Sequence, residues 1–491
     1  MCDTFTKVIG ACGPEGQVRL EYRENHKKEN YLLFSDVHLG ADLIQHAAPW
    51  TTARLKKAAR IDRDLSSMLE HYRTSGDPNR PWCLVIAGDL VDFIGMSIAP
   101  ASETETALND EERENGLGSA HDHAVQKMRA VARRHVQVFD RLASFIADGH
   151  RLVLVRGNHD VDFHWEQAQR AFVEAIVEKA DGVATSEDRE IFAARIEFSP
   201  WFYYVEGLLY VEHGHQYDPT CSYEHQLVPV SPKDSRRINW SFSDVLLRSV
   251  VRPTRGLGSE GHDAATFMTY MRLAASMGIG GGVALAKRYI SAIAQLIRIS
   301  HLNFSQQART VREEQEKRML EMANRARLGV DKVRAIARLA APPIGREVMG
   351  ILRGLFVDKM AMVLGGLVAI ALVMLLDLPR IASWSVGALT VIAVGLMYQH
   401  STRARAQVFK YGESLRRIAG NIAELVPARF VVMGHTHEAI MARVAANTTY
   451  VNLGAWAVDE LAEEASTKSA ACTHLVIRHD ETKKPQAEFF T

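Results

Sequence analysis

Cysteine is scarce in this chain, with five residues among 491. They are scattered from Cys2 to Cys472 and do not form the close pairs of a disulfide framework or a clustered zinc site. This scarcity favours a reducing compartment. The first 30 residues also lack the apolar segment of a secretory signal, so we expect none.

An excess of charge is absent as well. The chain has 58 basic and 58 acidic side chains. No global field therefore draws it toward nucleic acid or anionic lipid, and any such attraction must be local. The hydrophobic fraction of 47% is ordinary for a globular protein. A length of 491 residues allows two or three domains, or one domain with a large insertion.

Strand-like and helix-like segments alternate in the first part of the chain. Short apolar runs at 31–36, 82–89 and 151–157 predict buried strands, and 191–198 predicts another. The amphipathic stretch 120–149 predicts one long helix. Such alternation is typical of an α/β sheet, whose ligands bind beyond the carboxyl ends of the strands.

Two long apolar runs interrupt the second half of the chain. Residues 360–376 and 381–398 carry no charge, and "DLPR" separates them. As helices of 1.5 Å rise per residue they would each cover roughly 26 Å, the short end of what a bilayer needs. Basic residues flank both outer ends, which favours a cytoplasmic location for both. We predict a transmembrane hairpin; the alternative is a helical hairpin buried in protein.

Five polar motifs follow strand-like runs. In order they are "SDVHLG" with Asp36 and His38, "GDLVD" with Asp89 and Asp92, "GNHD" with Asn158, His159 and Asp160, "HGH" with His213 and His215, and "GHTH" with His435 and His437. Such mixed oxygen and nitrogen donors suit manganese, iron or zinc. They are too many for one ion and about enough for two, and a pair of cations can clamp a displacement at phosphorus.

This ordered set resembles the calcineurin-like metallophosphoesterase superfamily, over roughly residues 30–218 and 405–455. The resemblance implies two divalent metal ions, with manganese expected and iron or zinc as alternatives. It assigns the ligands as follows: Asp36, His38 and His437 to the first metal, Asn158, His213 and His435 to the second, and Asp89 as the bridge.

The resemblance also implies a mechanism. A hydroxide bridging the metals would attack phosphorus, since both cations lower its pKa. His159 would stand beside the leaving oxygen as a proton donor or charge stabiliser, with Asp160 orienting it. Asp92 would support the site from behind. His164, His215 and Tyr217 receive no assigned role.

The expected fold is a four-layer αββα sandwich with an inserted all-α region that contains the transmembrane hairpin. The predicted segments are an N-terminal extension (1–29), the first part of the core (30–218), the helical insertion (219–404) and the second part of the core (405–491). Because the insertion begins and ends beside the metal ligands, we expect it to hold the site against the cytoplasmic face of the inner membrane.

The expected reaction is hydrolysis of a phosphoester or pyrophosphate bond in a membrane or lipid-linked substrate. The chain is partly similar to UDP-2,3-diacylglucosamine hydrolases, which usually carry arginine at the position of His159 and lack such a hairpin. The alternatives are a nuclease-type phosphodiesterase of the same superfamily and a non-catalytic membrane scaffold. Nucleic acid is not the expected partner, because the chain lacks a basic excess. The type of phosphate bond and the oligomeric state stay open.

Overall fold

The computed structural model describes most of the chain. The described residues are 29–44, 52–75, 80–180, 185–254, 272, 275–303, 305–306, 308–375, 379–408, 411–456, 472–479 and 485–491. Nearly all of the predicted N-terminal extension, and the last residue of the first apolar run, Leu376, lie outside them.

Eleven strands form two mixed sheets in the described residues. In chain order they are β1 Asn30–Phe34, β2 Trp82–Ala87, β3 Arg151–Val155, β4 Ile196–Ser199, β5 Phe202–Val205, β6 Leu209–Glu212, β7 Phe430–Met433, β8 Ala439–Ala445, β9 Thr448–Leu453, β10 His474–His479 and β11 Pro485–Phe490. The first sheet has the order β11-β10-β1-β2-β3-β4 and the second β5-β6-β7-β9-β8. Strands β1 to β4 run parallel, as do β6, β7 and β9.

The two sheets pack face to face. Alternate residues of β1 and β2, such as Leu33 and Val85, join Val211 and Val432 of the second sheet in one buried cluster. The intervening residues, such as Leu84, face the other way and pack against helices. Every residue of β1, β2 and β3 is buried, because both faces of these strands are covered.

Fourteen α-helices complete the described chain. They are α1 Thr52–Thr74, α2 Asp110–Asn115, α3 His121–Arg134, α4 Val136–Ala147, α5 Glu166–Val177, α6 Ser186–Ala193, α7 Phe242–Leu246, α8 Gly278–Asn303, α9 Ala308–Ala326, α10 Val330–Ala337, α11 Val348–Gly354, α12 Val357–Leu375, α13 Arg380–Val408 and α14 Tyr411–Leu425. Helices α1, α3, α4 and α5 cover the outer face of the first sheet.

Two local predictions were wrong. The single helix predicted over 120–149 is two helices that break at His135, whose ring nitrogens contact Asp62 at 2.6 Å and the backbone amide of Gly40 at 3.0 Å. The strand predicted over 191–198 begins only at Ile196. The preceding segment is helix α6, because Thr185 and Asp188 form a capping box that starts a helix there.

The region between β6 and β7 contributes to the layers around the sheets. Val311 of α9 and Val333 of α10 pack in one cluster with Leu415 of α14 and with Val431 of the second sheet. Helices α7, α8 and α11 form a separate cluster that includes Ile94, which follows β2. The predicted mixed α/β sheets with an additional helical region are therefore confirmed. The exact domain bounds stay a prediction.

Helices α12 and α13 pack against each other and expose most of their apolar surface. Gly366 approaches Val394 so closely that an added Cβ would lie 2.9 Å from its side chain. Among the described residues, α12 is the one helix that is long and apolar enough to cross a membrane, and 6% of its apolar window is buried. A hairpin of two spans is therefore not confirmed.

Candidate metal centre

The five motifs meet at one edge of the two sheets. Asp36, Asp89 and Asn158 follow the carboxyl ends of β1, β2 and β3, which are neighbours in the first sheet. His213 and His435 follow β6 and β7, which are parallel neighbours in the second sheet. Strand order thus brings together residues far apart in sequence.

The loops are joined to one another by hydrogen bonds that backbone amides donate. The amides of Val37 and His38 both donate to the carbonyl of Asp89 at 3.0 Å. The amide of His435 donates to the Asp36 carboxylate at 3.2 Å, although the two residues are 399 positions apart. These bonds hold the motif side chains in fixed relative positions.

The backbone of the predicted ligands is strained. Among the described residues, seven that are not glycine have positive φ, and five of these seven are predicted ligands: Asp36 (54°), His38 (53°), Asp89 (54°), His435 (72°) and His437 (60°). Such conformations cost about 1–3 kcal/mol each and persist where the surrounding structure imposes them. Their concentration at this edge is typical of a functional site.

Glycines in the motifs make room for the ligand side chains. A Cβ on Gly88 would lie 2.5 Å from Nδ1 of the His213 ring. A Cβ on Gly157 would collide with the Asp89 carboxylate, and one on Gly434 would collide with the carboxylate of Asp36. Close packing therefore requires glycine at all three positions, and the positive φ of Gly88 (90°) adds a backbone requirement there.

Asp36, His38 and His437 form the first group of potential ligands. Nε2 of His437 lies 3.3 Å from Oδ1 of Asp36, and Nε2 of His38 lies 4.0 Å from the same oxygen. Both Oδ1 of Asp36 and Nε2 of His38 are buried, yet neither has a hydrogen-bond partner of good geometry. Buried polar atoms are costly without a partner, and a bound cation would satisfy this pair.

Asp89 and His213 form a second group with Asp36. Nε2 of His213 lies 3.2 Å from Oδ2 of Asp89 and 3.1 Å from Oδ1 of Asn158. Nδ1 of the same ring lies 2.9 Å from the carbonyl of Ala87 and donates to it, which leaves Nε2 to face the carboxylate. Since Oδ2 of Asp89 also lies 3.8 Å from His38, this carboxylate stands between the two groups.

His435 lies beside these groups. Its ring centroid is 5.3 Å from that of His213. Its Nε2 lies 3.1 Å from Oδ2 of Asp218, and His435, Asp218 and Cys221 make a further group of potential ligands. The other oxygen of Asp218 accepts from the amide and hydroxyl of Thr220, both at 2.7 Å. Asp218 is thus held firmly against His435.

His159 has a different partner from the one predicted. Its Nδ1 lies 2.7 Å from Oδ1 of Asp92, and its amide donates to Asp89 at 2.8 Å. Asp160 instead accepts the amides of Gly157 (2.6 Å) and Leu90 (2.9 Å). Asp160 therefore shapes the loop backbone, and Asp92 is the carboxylate that orients the His159 ring.

The electrostatics of the site follow from burial and close charges. Burial alone would lower the pKa of His159, but the carboxylates of Asp92 and Asp89 outweigh it and raise this pKa to about 10. Burial, reinforced by the neighbouring His159, lowers the pKa of His38 to about 4, so its ring is neutral at pH 7 and able to bind a cation. Burial opposes ionisation of Asp89, yet His213 and His159 hold its pKa well below the usual value.

One comparison with known proteins bears on this site. Residues 30–263 match the family model described as calcineurin-like phosphoesterase. The chain carries a calcineurin-like phosphoesterase domain, of the metallophosphoesterase superfamily. This family consists of metal-dependent phosphoester hydrolases and uses divalent metals. No curated protein matches the chain.

The match confirms the resemblance inferred from the motifs and the prediction of a hydrolase. The match covers the first four motifs and ends before the fifth, "GHTH". Strand pairing between β6 and β7 brings that fifth motif to the same edge. The predicted ligands thus lie together, while their assignment to individual ions stays a prediction.

Three residues at the phosphoesterase site were missed by the sequence reasoning. Asp218 contacts His435, and it could have been suspected because it lies five positions after His213 in "HGHQYD". Arg252 contacts Asp92 across 160 positions, and no local pattern points to it. Glu212 precedes His213 in the sequence and is fully buried. Its carboxylate accepts hydrogen bonds from four side chains: Trp201, Tyr210, Gln216 and Tyr217.

The structure also shows the surroundings of His164, His215 and Tyr217, to which the sequence assigned no role. Tyr217 is a structural donor to Glu212 at 2.7 Å. The His215 ring lies 5.5 Å from that of His213, and burial holds its pKa well below the usual value. His164 packs against Trp165, at 5.0 Å between ring centroids.

Proposed function

We propose that this protein is a dinuclear-metal phosphoesterase that hydrolyses a phosphoester or pyrophosphate bond. The observation that carries the proposal is a pair of buried atoms without a well-formed hydrogen bond, Oδ1 of Asp36 and Nε2 of His38, inside a strained cluster of carboxylates and imidazoles. Asp89 stands between the two ligand groups, where a bridging carboxylate would be needed. Manganese is the metal we expect, with iron or zinc as alternatives.

The cations would supply nucleophilic water at neutral pH and neutralise charge on the phosphate. The chain's own groups supply the rest. His159 has Nδ1 on Asp92 and a side chain that is 21% exposed, so its Nε2 can reach a bound substrate. Against the effect of burial, the Asp92 carboxylate at Nδ1 raises the pKa of His159 and favours its protonated form, so that the ring can donate a proton to the leaving oxygen.

The test is turnover of a generic substrate. Purified full-length protein with added manganese should hydrolyse bis-p-nitrophenyl phosphate, and a chelator should abolish the activity. Asp89→Asn keeps the shape of the side chain but removes the bridging charge, so we expect kcat to fall by about a thousandfold or more. Wild-type turnover in Asp89→Asn would contradict the proposal, whereas a non-catalytic scaffold would show no turnover in either form.

We further propose that the substrate is a membrane lipid or a lipid-linked phosphate. Support comes from the apolar side chains that α12 and α13 expose: Leu364, Leu367, Leu372 and Met374 on α12, and Trp384, Leu389, Ile392 and Leu396 on α13. The polar contacts between the helices lie at one end. Lys359 donates to Thr402 at 3.1 Å, and Ser401 donates to Asp358 at 2.5 Å. This pattern suits an apolar hairpin with a polar base at the cytoplasmic face.

Helix α8 adds a second surface that suits a bilayer interface. It exposes Ile279, Val283 and Ile290 on one side. Its sequence has two arginines and a lysine but no acidic residue. An amphipathic basic helix of this kind binds anionic lipid by combined apolar burial and charge attraction.

Membrane association can be tested directly. The intact chain should pellet with membranes and resist extraction by high salt, whereas detergent should release it. Deletion of 360–399 should move the protein to the soluble fraction with its hydrolysis of bis-p-nitrophenyl phosphate retained. An intact chain that is soluble without detergent would contradict the membrane proposal. A screen that measures hydrolysis products from phospholipids, nucleotide-linked lipids and oligonucleotides would then distinguish activity on lipids from nuclease activity.

A further inference from the structure

Arg252 belongs to the region between β6 and β7, yet its side chain reaches the metal centre. It follows directly after a π-helical turn, Leu247–Val251. Its guanidinium is buried and Nη2 donates to Oδ2 of Asp92 at 2.9 Å. Such a charge-assisted bond is roughly twice as strong as a neutral one.

The other oxygen of Asp92 is held from two directions. Oδ1 accepts the amide of Gly95 at 2.8 Å and contacts Nδ1 of His159 at 2.7 Å. Arg252 therefore fixes the rotation of a carboxylate whose opposite oxygen orients the His159 ring. The chain Arg252–Asp92–His159 links the helical region to the reacting edge of the sheet.

The absence of a side chain at Gly95 makes room for the contact between Arg252 and Asp92. A Cβ at this position would collide with Asp92, and it would lie 2.5 Å from Nη2 of Arg252. Gly95 has no positive φ, so backbone conformation does not demand a glycine here. The absent side chain leaves the space in which the guanidinium meets the carboxylate.

The segment that carries Arg252 is docked firmly. Val245, Leu246 and Val250 are buried in one cluster with Ile94. Ile94 lies two positions after Asp92, in the loop that follows β2. Arg248, one turn before Arg252, donates to the carbonyls of Met96, Gly116 and Leu117 at 3.1–3.3 Å. A side chain locked by such packing is pre-organised for its contact.

We infer that Arg252 is a positioning residue for the phosphoesterase reaction, acting through Asp92 on His159. The helical region is then a working part of the catalytic apparatus in addition to its proposed membrane role. This inference rests on the proposed role of His159 at the leaving oxygen. It does not depend on the identity of the substrate, because it concerns the group that every substrate would meet.

Three variants test the inference on the full-length protein with manganese and bis-p-nitrophenyl phosphate. Arg252→Gln should lower kcat by about 10–100-fold, the usual cost of losing such a supporting contact, with KM changed by less than about twofold. Arg252→Lys keeps a charge that can reach Asp92 and should recover most of kcat. Arg334→Gln is the control, since Arg334 pairs with Glu316 at 3.2 Å on the exposed surface of the same region.

Amide hydrogen exchange gives a readout that is independent of turnover. Arg252→Gln frees the Asp92 carboxylate, so exchange at the Gly95 amide should rise, and in Arg252→Lys it should stay close to wild type. In a double-variant cycle, Arg252→Gln should have no further effect on kcat once Asp92→Asn is present, because both act on the same ring.

Three results would overturn the inference: normal kcat in Arg252→Gln, a rise in KM alone, or additive losses in the double variant. A rise in KM alone would point to a direct contact between Arg252 and the substrate, and additive losses would mean that Arg252 acts independently of Asp92. Absence of turnover in the wild type is a different outcome. It would remove the proposed function and, with it, the role given to Arg252.

Discussion

The α/β domain and the pair of helices α12–α13 use apolar side chains in opposite ways. In β1, β2 and β3 every residue is buried, because sheet and helices cover both faces. In α12, 6% of the most apolar stretch of 18 residues is buried. Two segments of similar composition thus meet different surroundings. The α/β domain covers its apolar strands, whereas the described residues leave many apolar side chains of α12 and α13 exposed, and the membrane proposal rests on that exposed surface.

The same two regions differ in backbone strain. At the candidate metal centre, five predicted ligands adopt positive φ and are held there by neighbouring loops. The described residues of α12 and α13 show regular helical backbone. Strain that the surrounding fold imposes is usually associated with function at that point. Backbone strain therefore points to the sheet edge as the site of the proposed chemistry, whereas the regular helices α12 and α13 carry no such sign.

The largest effect should come from the reacting edge itself. His159→Ala removes the proposed proton donor and should lower kcat by about 10²–10⁴-fold, while the manganese content of the protein stays unchanged. His164→Ala is the matched control five positions along, because His164 contacts Trp165 rather than the ligand groups. Steady-state kinetics and metal analysis of both variants decide the matter. Equal losses in the two variants would mean that the loop, rather than the His159 ring, is required.

A pair of leucines measures the contrast in burial. Leu84 of β2 is fully buried, whereas Leu364 of α12 is 64% exposed. Leu84→Ala should lower the free energy of unfolding by about 2–5 kcal/mol, because it leaves a cavity between sheet and helices. Leu364→Ala should change it by less than about 0.5 kcal/mol in detergent. Denaturant unfolding in the same detergent provides both values. Similar losses would mean that α12 packs against protein after all.

The order of the motifs was enough to predict the family and the edge of the sheet where its ligands meet. This succeeded because Asp36, Asp89 and Asn158 each follow an apolar run, and parallel neighbouring strands end at the same edge. The break at His135 escaped prediction, since the hydrophobic periodicity continues through it and the contacts of its ring are tertiary.

Contacts between distant segments were beyond the reach of sequence patterns. Asp160 follows His159 directly and looked like its partner, yet the local turn directs its carboxylate to backbone amides. The partner is Asp92, 67 positions away, and its own support comes from Arg252 in a region that pattern analysis treats as separate. Periodicity reports which face of an element is buried, but it does not report which side chains meet there.

The smallest effect should come from Asp218, which contacts His435 at the edge of the sheets. Its contact with His435 fixes the orientation of a predicted ligand, and carboxylates in this role typically contribute 10–100-fold to metal affinity. We therefore expect Asp218→Asn to weaken manganese binding by about 10–100-fold, measured by titration calorimetry, and to regain activity at saturating manganese. Asp234→Asn is the control, because Asp234 pairs with its sequence neighbours Arg236 at 3.0 Å and Arg237 at 3.4 Å rather than with a predicted ligand. Unchanged manganese affinity in Asp218→Asn would mean that the backbone alone holds His435 in place. The contact between Asp218 and His435 would then have no role in metal binding.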